Sequence, residues 1–200
     1  MRKLCVPVFA LALLAAGAVG AWASQATQPV DKTPPSYDMK PQSLLDLDGM
    51  HKQFVSLAEA IPADKFTWRP MPGVRSIAEV YLHIAGVNFG FASDLGTMPA
   101  PDFKKDGYEQ STTDKEKIIA ELNRSFDYAH SAIEKMANID FAKPMKKYGP
   151  DANAGDIVYI IVTHTHEHLG QSIAYARMNG VVPPWTAAAQ MKMQQQKPQD

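Results

Sequence analysis

The 200-residue chain has a single cysteine, Cys5. No internal disulfide can form, and no thiolate cluster is available for zinc or iron–sulfur binding. An excess of charge is also lacking. Twenty basic and 21 acidic side chains give a net charge of -1, and a pI near 6.6 exerts no long-range pull on nucleic acid. There is no internal repeat. No segment alternates long enough to argue a strand, although Met145 to Tyr148 could pair locally. A hydrophobic share of 46% fits a globular protein, and the length suits one domain with tails. Any metal or polar chemistry must come from His, Asp, Glu and hydroxyls.

The two ends differ from the middle. Arg2 and Lys3 precede a nearly unbroken apolar run from Val6 to Val19, and Ala21-Trp22-Ala23 offers an A-x-A cleavage pattern. This is the layout of a secretory signal peptide over residues 1–23, with too short an apolar core for a membrane span. Cys5 lies before that core, which does not fit a lipoprotein. Cleavage after Ala23 leaves 177 residues, 18 basic and 21 acidic, with no cysteine. No later stretch is apolar enough to cross a membrane. The expectation is an exported protein, periplasmic or secreted, that offers no thiol to an oxidising compartment. Residues 24–37, rich in Pro, Gln and Thr, read as a flexible linker, and the Gln-rich residues 186–200 as a disordered tail. The folded part is then residues 38–185.

Within it, four amphipathic helices are expected. Leu44, Leu47, Met50, Phe54, Leu57 and Ile61 place the first at about Pro41 to Ala60. A capping box, Ser76-Ile77-Ala78-Glu79, opens the second, which carries Val80, Ile84, Val87 and Phe91 and ends near Gly96. The long connection Thr97 to Thr112 is unusual enough in length to suggest that it borders a site. A box at Thr113-Asp114-Lys115-Glu116 opens the third helix, which continues through Ile118, Leu122, Phe126, Ile133 and Met136. The fourth runs from about Gly155 to Asn179, with Gly180 as its C-terminal cap and Pro183 as a stop. The fold class is all-α, a four-helix bundle, with connectivity left open.

The last helix holds His164 and His168. At about 100° and 1.5 Å per residue, they point the same way, about 40° and 6 Å apart. They share a side with Ile157 and Ile161, so they face inward and need either hydrogen-bond partners or a metal. His83, beside the apolar stripe of the second helix, is a candidate third ligand or else a half-buried histidine bonded to a neighbouring helix. Gly86 and Gly90 flank it and permit close approach of a helix or ligand. His166 points away from His164 and His168, His51 is placed on a helix surface, and His130 has no ligand set nearby. The zincin pattern H-E-x-x-H is absent, because Thr165 follows His164.

Trp68-Arg69-Pro70, Gly73-Val74-Arg75-Ser76-Ile77-Ala78-Glu79 and Leu82-His83-Ile84-Ala85, followed by His164-x-x-x-His168-Leu169-Gly170-Gln171, resemble the signatures of the DinB/YfiT-like superfamily. The likeness extends through Tyr175 to Gly180 and to Pro183-Pro184. It implies a four-helix-bundle metalloenzyme in which His83, His164 and His168 bind a divalent metal. Leu169 departs from the Arg usual in that signature. Some relatives are thiol-dependent S-transferases or isomerases. That activity is not carried over, because their small-thiol cosubstrates are mainly cytoplasmic.

Three imidazoles leave positions open on a metal, as in catalytic sites. Zinc, nickel or iron suits such donors, and zinc brings the pKa of bound water to about 7. Gln171 is either a hydrogen-bonder behind the ligands or a substrate contact, or it ties two helices together. Tyr175 lines the pocket or packs. Glu79 could orient His83, but the cap already employs it. No general base stands out, and Glu167 points away. Two functions stay open: a metal-dependent hydrolase-like enzyme acting on a small molecule through metal-bound water, and a non-catalytic metal- or small-molecule-binding module. A homodimer is compatible with either.

Overall fold

The computed structural model describes residues 38–99 and 101–196. The expected signal peptide over 1–23 with Cys5, the expected linker over 24–37 and residues 197–200 of the expected tail lie outside the described residues. Among the described residues five α-helices follow in chain order: α1 (Met39–Ala60), α2 (Ile77–Asp94), α3 (Lys115–Glu134), α4 (Ala154–Met178) and α5 (Pro184–Gln195). No strand occurs among the described residues. The first four form the expected bundle. Its main packing pairs are α1 with α3, α3 with α2, α2 with α4 and α4 with α1. Walking round the bundle thus gives α1, α3, α2, α4, and the α1–α2 and α3–α4 connections join helices across it.

The apolar periodicities close the core. Leu47, Phe54 and Leu57 of α1 meet Ile84 of α2, Leu122 and Phe126 of α3, and Ile157 and Ile161 of α4, all essentially inaccessible. Phe54 packs edge-on to Tyr81 at 6.1 Å and tilted against Phe126 at 5.8 Å. Val87 and Phe91, on the α2 stripe, are only partly buried. Both line a groove, and Phe91 also packs against the edge of the core.

Helix ends follow local chemistry. Ser76 and Glu79 form the expected reciprocal cap, at 3.3 and 2.6 Å. The α3 cap lies one residue further on than expected. Asp114, not Thr113, caps Lys117 N at 3.0 Å, while the Thr112 hydroxyl accepts from Asp114 N. A carboxylate caps better than a threonine hydroxyl and also favours the helix dipole. Asn153 and Asp156 form a box at the start of α4. Gly180, at φ 76°, closes α4. Gly180 N bonds Arg177 O and Val181 N bonds Ala176 O, at 3.0 and 2.9 Å, which is a Schellman motif.

Two expectations need correction. Met145 to Tyr148 does not form strand pairing beyond one isolated bridge, Pro144 to Asn153. Lys146–Tyr148 is a 3₁₀ turn. The tail expected to be disordered from residue 186 is helical through Gln195. Pro184 is preorganised for the first turn, and Ala, Gln, Met and Lys are good helix formers. Trp185 packs against the core.

Candidate metal centre

α2 and α4 are neighbours in the bundle, and one turn of α4 faces the middle of α2. This brings His83, His164 and His168 together, with ligand nitrogens all within 4.8 Å of one another. Ring centroids lie 4.4 to 5.0 Å apart. His168 is buried, and His83 and His164 are partly so.

The hydrogen bonds behind the rings fix which nitrogen faces inward. Glu109 Oε1 lies 2.7 Å from His83 Nδ1. Arg75 holds the same carboxylate, Nε to Oε2 at 2.7 Å and Nη2 to Oε1 at 3.1 Å. Burial alone would raise the Glu109 carboxyl, but the hydrogen bonds from Arg75 and His83 outweigh it and hold the group below the usual carboxylate range. Glu109 is therefore an acceptor, His83 carries its proton on Nδ1, and Nε2 is left with a lone pair. On the other helix, Gln171 Nε2 donates to the Tyr175 hydroxyl at 3.1 Å, which turns Oε1 toward His168 Nδ1 at 2.7 Å. His168 Nε2 is likewise free.

His83 Nε2 and His164 Nε2 lie 3.0 Å apart, and His164 Nδ1 is buried without a partner. Burial drives His83 below its ordinary pKa, although Glu109 pulls the other way. Burial lowers His164 to about 4, helped by the repulsion that a protonated ring there would meet from positive charge on His168, His83 and Arg75. Near neutral pH both rings are uncharged. Uncharged imidazoles with inward lone pairs form a donor set for a cation. Two nitrogens about 2.05 Å from one zinc at the tetrahedral angle are about 3.3 Å apart, close to the 3.0 Å between His83 Nε2 and His164 Nε2, with His168 inside the 4.8 Å span of the set. The three histidines fit a divalent metal.

The sequence missed Glu109. It sits in a 3₁₀ turn, Tyr108–Gln110, within the connection that had been expected to border a site. Gly107, at φ 72°, starts that turn. Phe103 and Tyr108 of the same connection lie against Gly86, where an added Cβ would sit 3.2 Å from the Tyr108 ring. The only signals available were the length of the connection and the close approach that Gly86 allows.

The other histidines stay apart from the centre. His166 is exposed, as is Glu167. His51 is not a free surface residue: it stacks on Phe126 at 4.9 Å and bonds Asn123 at 2.7 Å. His130 lies 3.5 Å from Asp48. Glu79 is held by its cap and by Arg69 at 3.0 Å, so it serves the helix start. Tyr175 is buried, with its ring edge-on to Trp68 at 5.4 Å. It packs while steadying Gln171. Leu169 is buried with the core.

A groove of about 640 Å³ opens beside His83 and Glu109 and runs along α2 to Asp94. Phe89, Phe91, Phe103 and Tyr148 contribute to its walls.

No curated protein matches the chain. A crystal structure of a DinB-like protein from Bacillus cereus ATCC 10987 is similar, with a TM-score of 0.62 and 14% identity. The match covers 72% of this chain and 95% of that one. The sequence profile of the DinB superfamily matches residues 46–172, more than half of the chain and a span that includes all three histidines. The chain belongs to the DinB superfamily.

Proposed function

We propose that the protein is an exported, divalent-metal-dependent enzyme that acts hydrolytically on a small molecule. One observation carries this reading: Glu109 and Gln171 orient His83 and His168, whose ligand nitrogens lie within 4.8 Å of each other and of His164, and His83 with Glu109 also lines a groove of ligand size. Three protein donors leave coordination positions open, unlike a closed structural site. A bound divalent metal supplies Lewis acidity and acidifies water, and zinc, nickel and iron all accept such donors. The chain's own residues prepare the site. His83, His164 and His168 hold the ion, and Arg75 fixes Glu109, which sets the tautomer of His83. Tyr175 fixes Gln171, which does the same for His168. The aromatic walls offer apolar surface to a bound molecule. The leader over residues 1–23 supports export.

The test is an assay of purified protein against carboxylic ester, amide and phosphoester panels. Turnover should be abolished by a chelator, restored by one divalent metal and absent in His168→Ala. A fully metal-loaded protein that turns over none of these classes would contradict the enzyme reading and leave a metal-binding module.

A further inference from the structure

The groove along α2 has a different character at each end. His83 and Asp94 are eleven residues apart, which places them about 16 Å apart along the helix axis. Between them, Gly90 leaves part of the floor bare, because a Cβ added there would meet nothing within 4 Å. Aromatic side chains flank this stretch. Phe91 and Tyr148 pack at 5.5 Å, and Phe89 and Phe103 at 5.4 Å. The far end is charged. Asp94 accepts from Lys147 at 2.6 Å and from the Tyr148 hydroxyl. Lys105 also lines the groove and bears on Asp94 electrostatically. Two ammonium groups thus stand near one carboxylate, whose Oδ2 already accepts from both Lys147 and the Tyr148 hydroxyl. At the triad end, Glu109 is matched by Arg75. The groove's own lining balances at two ammonium groups and two carboxylates, but Glu109 is neutralised by Arg75 from outside it, so the one unmatched charge is positive and lies at the Asp94 end.

We propose that this groove takes a small organic acid, with its apolar, ring-sized body over Gly90 and its anionic end at Lys105 and Lys147. The body is held by apolar burial and the end by charge. This rests on the metal-enzyme reading only in placing the reacting group at the histidines. A molecule bound in this way is positioned by its remote parts, which is how binding energy is applied at a reacting centre.

The test uses three compounds with the same body: 4-phenylbutyrate, 4-phenylbutanol and 4-phenylbutylamine. Each is titrated calorimetrically into metal-loaded protein and into protein stripped with a chelator. The acid should bind about fivefold more tightly than the alcohol, the size of a modest charge interaction, and the amine most weakly. The preference should persist in the stripped protein and vanish in the Lys105→Ala/Lys147→Ala double variant. Gly90→Leu, which fills the floor, should weaken all three by about tenfold with metal content unchanged and the melting temperature not lowered, since Leu favours the helix over Gly. Equal binding of the three compounds, or no binding at millimolar concentration, overturns the proposal. So does Gly90→Leu binding like the parent. An acid preference that disappears with the metal also overturns it, because the carboxylate then sits at the histidines. Metal content is measured separately. A chain that holds no metal yet keeps the acid preference removes the enzyme reading and leaves the ligand class standing.

Discussion

Glu109 accepts from His83 Nδ1 on one side and from Arg75 on the other. Replacing it with Gln keeps the shape but removes the charge that holds the His83 tautomer. Glu109→Gln should weaken metal binding by about 10–100-fold, the usual cost of losing a partner behind a ligand, as read by competition with a chromogenic chelator. His166→Ala, on the exposed face of α4, should leave the affinity unchanged in the same assay. His164 supplies a pH signature. Its folded pKa is pushed down to about 4 from an ordinary 6.5, so the unfolded chain takes up this proton first as pH falls. The metal-free protein keeps the full stabilisation above 6.5 and loses it as pH drops toward 4. The urea midpoint should therefore fall between pH 7.5 and 4.5, and fall less in His164→Asn. A midpoint that stays level would contradict the buried, neutral ring. His164 and His168 could be paired from sequence because helical spacing converts residue number into direction. His83, on another helix, has two open readings until the family resemblance names it a ligand. Glu109 could not be read from sequence, because it is 26 residues from His83 on a connection with no periodicity, placed by Gly107 and by packing against Gly86.

Helix ends show the same division. The Ser76–Glu79 box and Gly180 were legible because each depends on residues adjacent in sequence. The α3 cap was misplaced by one residue because Thr113 and Asp114 are both competent, and only the chain's path decides between them. Asp114→Ala should cost about 1 kcal/mol in urea unfolding and Thr113→Ala close to nothing. Gly180→Ala should cost about 1 kcal/mol or more, because alanine must then adopt a positive φ. Helix α5 was read as a tail because its exposed, Gln-rich surface shows no apolar stripe. Its propensity and the anchoring of Trp185 were the signals to weigh. The order of helices around the bundle was not legible, since amphipathic stripes state which face is buried but not against which neighbour.

At the scale of the molecule, metal binding and folding are linked, because the ion binds only the assembled triad. Adding metal to about 100 times its dissociation constant should stabilise the chain by about 2.7 kcal/mol, seen as a rise in melting temperature that His168→Ala abolishes. If residues 1–23 are a leader, intact-mass measurement of protein recovered from the periplasm should begin at Ser24. The central claim is that α2 and α4 jointly build one metal centre, and metal content measured after exhaustive dialysis tests it most directly. The parent chain should retain about one divalent ion per molecule, as a single three-histidine site requires. His83→Ala, His164→Ala and His168→Ala should each lose it while keeping helical circular dichroism. Parent-level metal in the three variants would contradict the account.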